Sequence, residues 1–218
     1  AAHGFSLHDR QTGLFGSVGL KGGGPVHGNL LFREIDGRAG YYTGAAWRWH
    51  DRLELRALRY DNCADDTRFN AAINDFAWAT RFDALGVRFE TDSGWTAVAQ
   101  ALAGATRIHE IEPQFDERYR WRFHSAFALL SRRIGPQRLS LRRDEFDTHL
   151  LPRGLSEDHG HAWTAAYGYE PNERWRFMVE WLRVSSSNSA RPALYGGDAR
   201  IAETQLQLSL RYRREGSW

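Results

Sequence analysis

Apolar residues recur at every second position in segment after segment of this chain, and that period limits its fold more than any other feature. Trp175, Phe177, Val179 and Trp181 point one way, while Arg174, Arg176, Met178 and Glu180 point the other. Leu206, Leu208, Leu210 and Tyr212 share a face, opposed by Glu203, Gln205, Gln207, Ser209, Arg211 and Arg213. In the segment 118–131, Tyr119, Trp121, Phe123, Phe127 and Leu129 form the apolar set, against Arg118, Arg120, Arg122 and His124. A period of two is the signature of strands with one wet and one dry side. It predicts strands at 39–49, 52–60, 75–90, 95–106, 118–132, 138–147, 160–170, 174–184 and 203–213, with a weaker one at 11–20. No stretch carries a helical stripe. The expected fold is all-β: an antiparallel up-and-down barrel of about ten strands, one domain over residues 1–218.

The connections alternate in length. Short turns fall at His50-Asp51, Thr91-Asp92-Ser93-Gly94, Ile134-Gly135-Pro136-Gln137 and Pro171-Asn172-Glu173. Long loops are expected at 61–74, 107–117, 148–159 and 185–202. Transmembrane barrels sort their connections in this way, with short turns on one side and long loops on the other. Aromatic residues make up 13 % of the chain, with nine Trp. Trp47, Trp49, Phe89, Trp95 and Trp175 flank short turns, and Phe76, Trp78 and Trp181 are expected near the long-loop ends. Two aromatic girdles at two membrane interfaces would account for that placement.

Alternation alone does not say which face is wet. The polar faces carry like-charged ladders that would repel in one sheet unless neighbouring acids answer them. The apolar faces are almost free of charge in mid-strand, as in Leu53-Leu55-Ala57 and Ala97-Ala99-Ala101. The expected arrangement is therefore apolar outside and charged inside, with Arg143 and Arg183 as exceptions close to long-loop ends. The predicted lining is Arg48, Arg52, Glu54, Arg56, Arg88 and Glu90 from the first half of the chain. Arg120, Arg122, Arg142, Asp144, Arg176, Glu180 and Arg211 complete it. Rings of Arg select anions in pores, so passage or docking of small polar or anionic solutes is expected; in a barrel of ten strands the alternative is that Arg and Glu side chains cross-pair and fill the interior as a polar core.

Composition narrows the classes further. A net charge of +2 gives no reason to expect nucleic acid as a partner. Lys21 is the one Lys, so almost every cation is a guanidinium. Cys63 stands alone, which rules out a disulfide framework or a cysteine metal cluster. No run of 18 apolar residues is present to form a membrane helix. The start, Ala1-Ala2-His3-Gly4, shows no signal peptide, which implies a processed or incomplete chain.

The segments 41–62 (YYTGAAWRWHDRLELRALRYDN), 82–104 (FDALGVRFETDSGWTAVAQALAG) and 161–184 resemble the C-terminal part of poorly characterised proteobacterial outer-membrane porin-like proteins. The resemblance runs from about residue 35 onward. It implies an outer-membrane barrel, with the lipid bilayer, lipopolysaccharide and the outer-membrane assembly machinery as partners. It implies no substrate and no catalytic residue. Such relatives are longer at the N-terminus, so the resemblance implies a shortened or partial barrel. Trp218 is terminal, as the aromatic residue read by the assembly machinery would be, although Arg213-Arg214-Glu215-Gly216 separates it from the last alternating strand.

Other chemistries are weaker in the sequence. Glu157-Asp158-His159 with His161 could place a carboxylate-held base on a rim loop of a barrel hydrolase, with Asp61, Asp65 and Asp66 on another loop. No nucleophile stands at a recognisable spacing; Ser185, Ser186, Ser187 and Ser189 read as a solvated loop. Asp61, Asn62, Asp65 and Asp66 have oxygens that suit calcium but lack EF-hand spacing, and no zinc pattern exists. A soluble lipocalin-like barrel would have to turn its apolar face inward. The expectation is a non-enzyme with no metal and no cofactor.

Overall fold

A computed structural model of the chain describes residues 36–70, 75–112, 115–151, 157–195 and 197–213. The weak strand expected over 11–20 lies outside them. The first two strands are β1 (Tyr41–Trp49) and β2 (Leu53–Asp61). A two-residue pair, β3 (Phe69–Asn70) and β4 (Asp75–Phe76), stands apart. Then come β5 (Ala79–Glu90), β6 (Trp95–Glu112), β7 (Phe115–Ile134) and β8 (Gln137–Leu151). The last elements are β9 (Glu157–Asn172), β10 (Trp175–Asn188), a short helix α1 (Arg191–Tyr195) and β11 (Arg200–Tyr212). Apart from β3 and β4, the strands form one nine-stranded sheet in chain order, each hydrogen-bonded antiparallel to the next. Among the described residues β1 and β11 are its two edges, and the sheet does not close.

The short turns make this order possible. His50 and Asp51 take φ of 48° and 53°, and Arg52 N–H donates to the Trp49 carbonyl at 3.1 Å. Two successive positive φ values match the right-handed twist of the strands they join. Gly94 (φ 84°) and Gly135 (φ 56°) perform the corresponding task in the next two short turns.

One hydrogen-bonded row crosses the whole sheet. It runs Trp49, Leu53, Phe89, Ala97, Leu130, Leu141, Ala165, Trp181, Leu206, and all nine are apolar. Paired residues share a face, so this row defines the first face of the sheet. Leu85, Val87, Leu139, Phe177, Leu208 and Leu210 lie on the same face, and all are exposed. Among the described residues no large side chain is fully buried, and the buried apolar set is Ala77, Ala84, Ala105 and Leu150. The sheet therefore has no core of its own. Its second face is the more sheltered one, holding buried Ala84, Ser131, Leu150 and Ser186.

The short-turn end is staggered. The apolar row meets β1 at its last residue, Trp49, but meets β11 at Leu206, six residues before Tyr212. At ~3.3 Å per residue and ~4.8 Å between strands, six residues over eight strand steps is a tilt of ~27°.

Three expectations need correction. Much of the predicted loop sequence at 107–117, 148–159 and 185–202 is strand, with β6 and β7 paired as far as Glu112 and Phe115. Alternation of apolar and polar residues lapses there, as in Arg107-Ile108-His109-Glu110 and Ser185-Ser186-Ser187, while backbone pairing continues. The expected strand at 75–90 is instead β4 and β5, separated by Ala77 and Trp78. The register also reverses the faces of β7. Ala126, Ala128 and Leu130 join the first face, whereas Tyr119, Trp121, Phe123, Phe127 and Leu129 lie on the second.

Two glycines show how closely the second face is packed. A Cβ on Gly160 would meet the Ser185 carbonyl oxygen at 2.6 Å and Phe146 Cε1 at 2.7 Å. A Cβ on Gly86 meets nothing nearer than the Ala99 oxygen at 3.8 Å. Gly160→Ala should destabilise the folded protein by about 1–3 kcal/mol through overpacking. Gly86→Ala should stabilise it by about 0.4–1 kcal/mol by restricting the unfolded chain. Denaturant titration of both variants in the same detergent checks the pair.

Candidate functional site

Most of the predicted lining residues gather on the second face, toward the short turns. Arg48, Glu54, Arg88 and Arg142 fall in one hydrogen-bonded row, and Arg56 and Asp144 in the next. Glu90 and Glu180 share a further row, and Arg176 pairs with Arg211 in register. Arg52 sits in the β1–β2 turn and bonds Asp92 in the next short turn.

Guanidiniums and carboxylates answer one another across this face. Glu54 accepts from Arg48 Nε at 3.1 Å and also from Arg56 Nε. Arg88 Nε donates to Glu90 at 3.2 Å. Arg142 Nε lies 2.9 Å from both Asp144 oxygens, and its guanidinium covers the Phe127 ring at 4.2 Å. Arg176 and Arg211 are like charges side by side, and Glu170 relieves them at 2.6 Å from Arg176 Nε. Arg48, Asp51, Arg52, Glu54, Arg88 and Glu90 surround a hollow of ≈ 210 Å³. Further from the short turns the second face becomes aromatic, with Tyr60 stacked on Phe82 at 5.1 Å.

Arg120 and Arg122 are not part of this group. Both lie on the first face, beyond its apolar band, in rows with Arg107 and Arg81. The sequence pattern placed them correctly relative to their neighbours on β7 but could not say which face that set occupies. The deciding feature is the register across the β6–β7 hairpin, which a single-strand pattern does not contain.

The rim residues also move. Glu157, His159 and His161 are on strand β9 rather than a loop, and all three face the first side. His159 is flanked in register by Asp147 on β8 and Ser187 on β10. An acid–imidazole–hydroxyl row of this kind has the residue types of a hydrolase. Asp147, however, lies 2.6 Å from His149 Nε2 and 3.8 Å from His124 Nδ1, contacts that are ionic only when the imidazoles are protonated, and its Oδ1 is buried without a hydrogen bond.

The loop carboxylates have partners within the fold. Asp61 Oδ1 accepts from the Cys63 amide at 2.8 Å. Asp65 pairs with Arg38 at 3.1 Å and Asp66 with Arg107 at 3.4 Å. The Thr67 hydroxyl, 2.6 Å from Asp65 Oδ1, holds that carboxyl below its ordinary range, aided by the Thr67 amide and Arg38. Among the described residues no group of three or more His, Cys, Asp or Glu is placed to hold a metal ion.

Aromatic residues collect near one end of the first face. Trp47, Trp49, Phe89, Trp95, Tyr169 and Trp175 cluster toward the short turns, and Trp175 packs on Tyr212 with ring centres 4.7 Å apart. Two residues expected in the second girdle lie elsewhere: Trp181 sits in mid-strand in the apolar row, and Trp78 lies in the β4–β5 connection. The side chain of Phe76 lies outside the described residues. Arg143, one of the two exceptions, covers Trp163 at 5.0 Å and pairs with Glu145 at 3.0 Å.

Compared with family models, curated proteins and solved structures, the chain finds no match.

Glu54 is the anion shared by two guanidiniums, so Glu54→Gln should lower the denaturation midpoint. The deficit should shrink as salt rises toward 1 M, where the screening length falls to ~3 Å. Titrations in low and high salt read this directly.

Proposed function

We propose that this chain forms the wall of an outer-membrane β-barrel, with its first face toward lipid and its second face lining a path for small polar or anionic solutes. The observation that carries this reading is the exposed apolar row across nine antiparallel strands, in a sheet without a core. In water so large an apolar surface needs a cover. A bilayer supplies one, and a closed barrel is the form in which strands cross it with every backbone group paired.

Two further features support it. The ~27° stagger has the sense of strand tilt, though it falls short of the ~35–45° usual in such barrels. In the short-turn half the strand ion pairs fall on the second face, Arg143–Glu145 excepted, which suits a hydrated interior. A soluble ligand-binding barrel is less well supported, because the exposed face is the apolar one. Nine strands leave β1 and β11 running in the same direction, so a fully antiparallel seam requires an odd number of additional strands. The bilayer, lipopolysaccharide and the assembly machinery are the partners this reading implies.

A guanidinium placed at Ala101, midway up the first face of β6, should cost about 2–4 kcal/mol on refolding into vesicles. Gln100→Arg, which faces the other way, should cost far less. Equal costs would sink the assignment of faces. In planar bilayers the protein should conduct with a preference for chloride over potassium. Arg56→Ala combined with Arg142→Ala should reduce that preference by about half or more. A folded, heat-modifiable protein that conducts nothing would leave the barrel standing and remove the passage.

A further inference from the structure

We propose that the first face carries a binding site for the phosphate of an anionic membrane lipid, held between Arg81 and Arg122, with an acyl chain lying down the alanine stripe of β6. The inference rests on the membrane reading above.

Arg81, Ala105 and Arg122 are consecutive members of one hydrogen-bonded row. Two long guanidiniums thus stand on either side of a methyl group, leaving a notch between them. Arg107 and Arg120 are paired in the adjacent row. A hollow of ≈ 410 Å³ opens here, lined by Arg81, Asp83, Arg120, Arg122, His124 and His149 over Ala103 and Ala105. A second hollow of ≈ 250 Å³ shares Arg81, Ala105 and Arg120 with it and reaches Arg107 and Asp61.

Charge at this place favours an anion. Arg81, Arg120 and Arg122 have no ion pair among the described residues, whereas the carboxylates around them are engaged: Asp83 with Arg59 and Asp66 with Arg107, both at 3.4 Å, and Asp147 and Glu157 beside His149 at 2.6 and 3.7 Å. Asp61 serves the Cys63 amide. Arg120 Nε is buried and has no hydrogen-bond partner, a costly state for a charged donor. Guanidinium forks match the geometry of phosphate oxygens, and a second acceptor would satisfy the row.

Position favours a lipid over a free anion. Below the notch, Ala97, Ala99, Ala101, Ala103 and Ala105 follow one another on the same face of β6. Leu85, Val87 and Phe89 wall them on β5; on β7, Leu130 stands beside Ala97, Ala128 and Ala126 widen the small-residue surface beside Ala99 and Ala101, and Asp83 and His124 flank Ala103. The stripe is a shallow trough walled by β5, whose apolar surroundings end at Asp83 and His124, one row below Arg81 and Arg122. From Ala97, in the row at the aromatic end, to Ala105 is eight residues, ~26 Å along the strand and ~24 Å along an axis tilted by ~27°. The apolar band of a membrane barrel is ~25 Å tall, so the notch falls at the headgroup level of the leaflet on the long-loop side. Basic pockets at that depth bind phosphorylated headgroups.

The test is native mass spectrometry of the detergent-solubilised full chain, titrated with dioleoyl phosphatidic acid, dioleoyl phosphatidylcholine or inorganic phosphate. Phosphatidic acid should be retained at least tenfold more strongly than phosphatidylcholine. Arg81→Gln with Arg122→Gln should abolish that preference, while Arg48→Gln with Arg88→Gln on the opposite face should keep it. Ala103→Leu, which fills the groove and leaves every charge in place, should weaken phosphatidic acid and spare inorganic phosphate. Heat-modifiability on gels certifies that each variant is folded. Equal retention of the two lipids by the folded protein overturns the site. Inorganic phosphate binding as tightly as phosphatidic acid overturns the lipid as its source. Failure of the membrane reading looks different: the protein is monodisperse without detergent and retains no lipid of either kind.

Discussion

Everything in this molecule depends on the unbroken antiparallel register. A side chain's face is set by its parity within a strand, and parity is passed to the next strand by the hydrogen-bond ladder and the turn between them. From β1 to β11 that ladder is regular in eight steps, with one irregularity between Trp175 and Phe177 beside the β9–β10 turn. The result is a sheet that sorts side chains twice. Across the sheet, one face is apolar and the other charged. Along the strands, the apolar band of the first face gives way to Arg, Asp and His from the row of Asp83, Ala103, His124 and Asp147 onward, with Arg143, Glu145 and Arg183 already below it.

This second sorting explains why Arg143 and Arg183 are tolerated on the apolar face. Both sit in the row just above the apolar one. The stagger that lowers the short-turn end toward β11 also lowers the upper edge of the band, so by β8 and β10 that row lies close to its rim. Trp163 between them offers a ring for a guanidinium to cover, a contact that water does not readily displace.

The sequence was most legible where one side of a strand is dry. Period-two alternation located all nine strands of the sheet, and the short turns fell where Gly94, Gly135 and the His50-Asp51 pair require them. It failed where polar residues stand on both parities, as in His109 and Glu110, which is why the β6–β7 extension past Arg107 read as loop. It also failed on absolute facing. Phe123 and Phe127 looked like outward residues because they are apolar, yet their register partners Gly104 and Gln100 share a face with Phe82, Gly86 and Arg88. The charged lining on Arg48, Glu54, Arg56, Arg88 and Arg142 was visible as ladders within strands. The notch at Arg81 and Arg122 was not, because its two halves are 41 positions apart and meet only through Ala105.

The two ends of the strands differ in a way that bears on the direction of insertion. The short-turn end is compact and rimmed by aromatic rings, whereas the opposite end carries long paired extensions; guanidiniums stand at both ends. On the membrane reading, moving that heavier end through hydrocarbon would cost about 2–4 kcal/mol for each Arg at the midplane. The short-turn end carries guanidiniums of its own but far less chain to bring across, because its connections are tight turns. The chain would then enter a bilayer with its short turns leading, and orientation would be decided kinetically, by which end can cross. In closed vesicles loaded from outside, that leaves the long paired extensions on the side from which the protein was added.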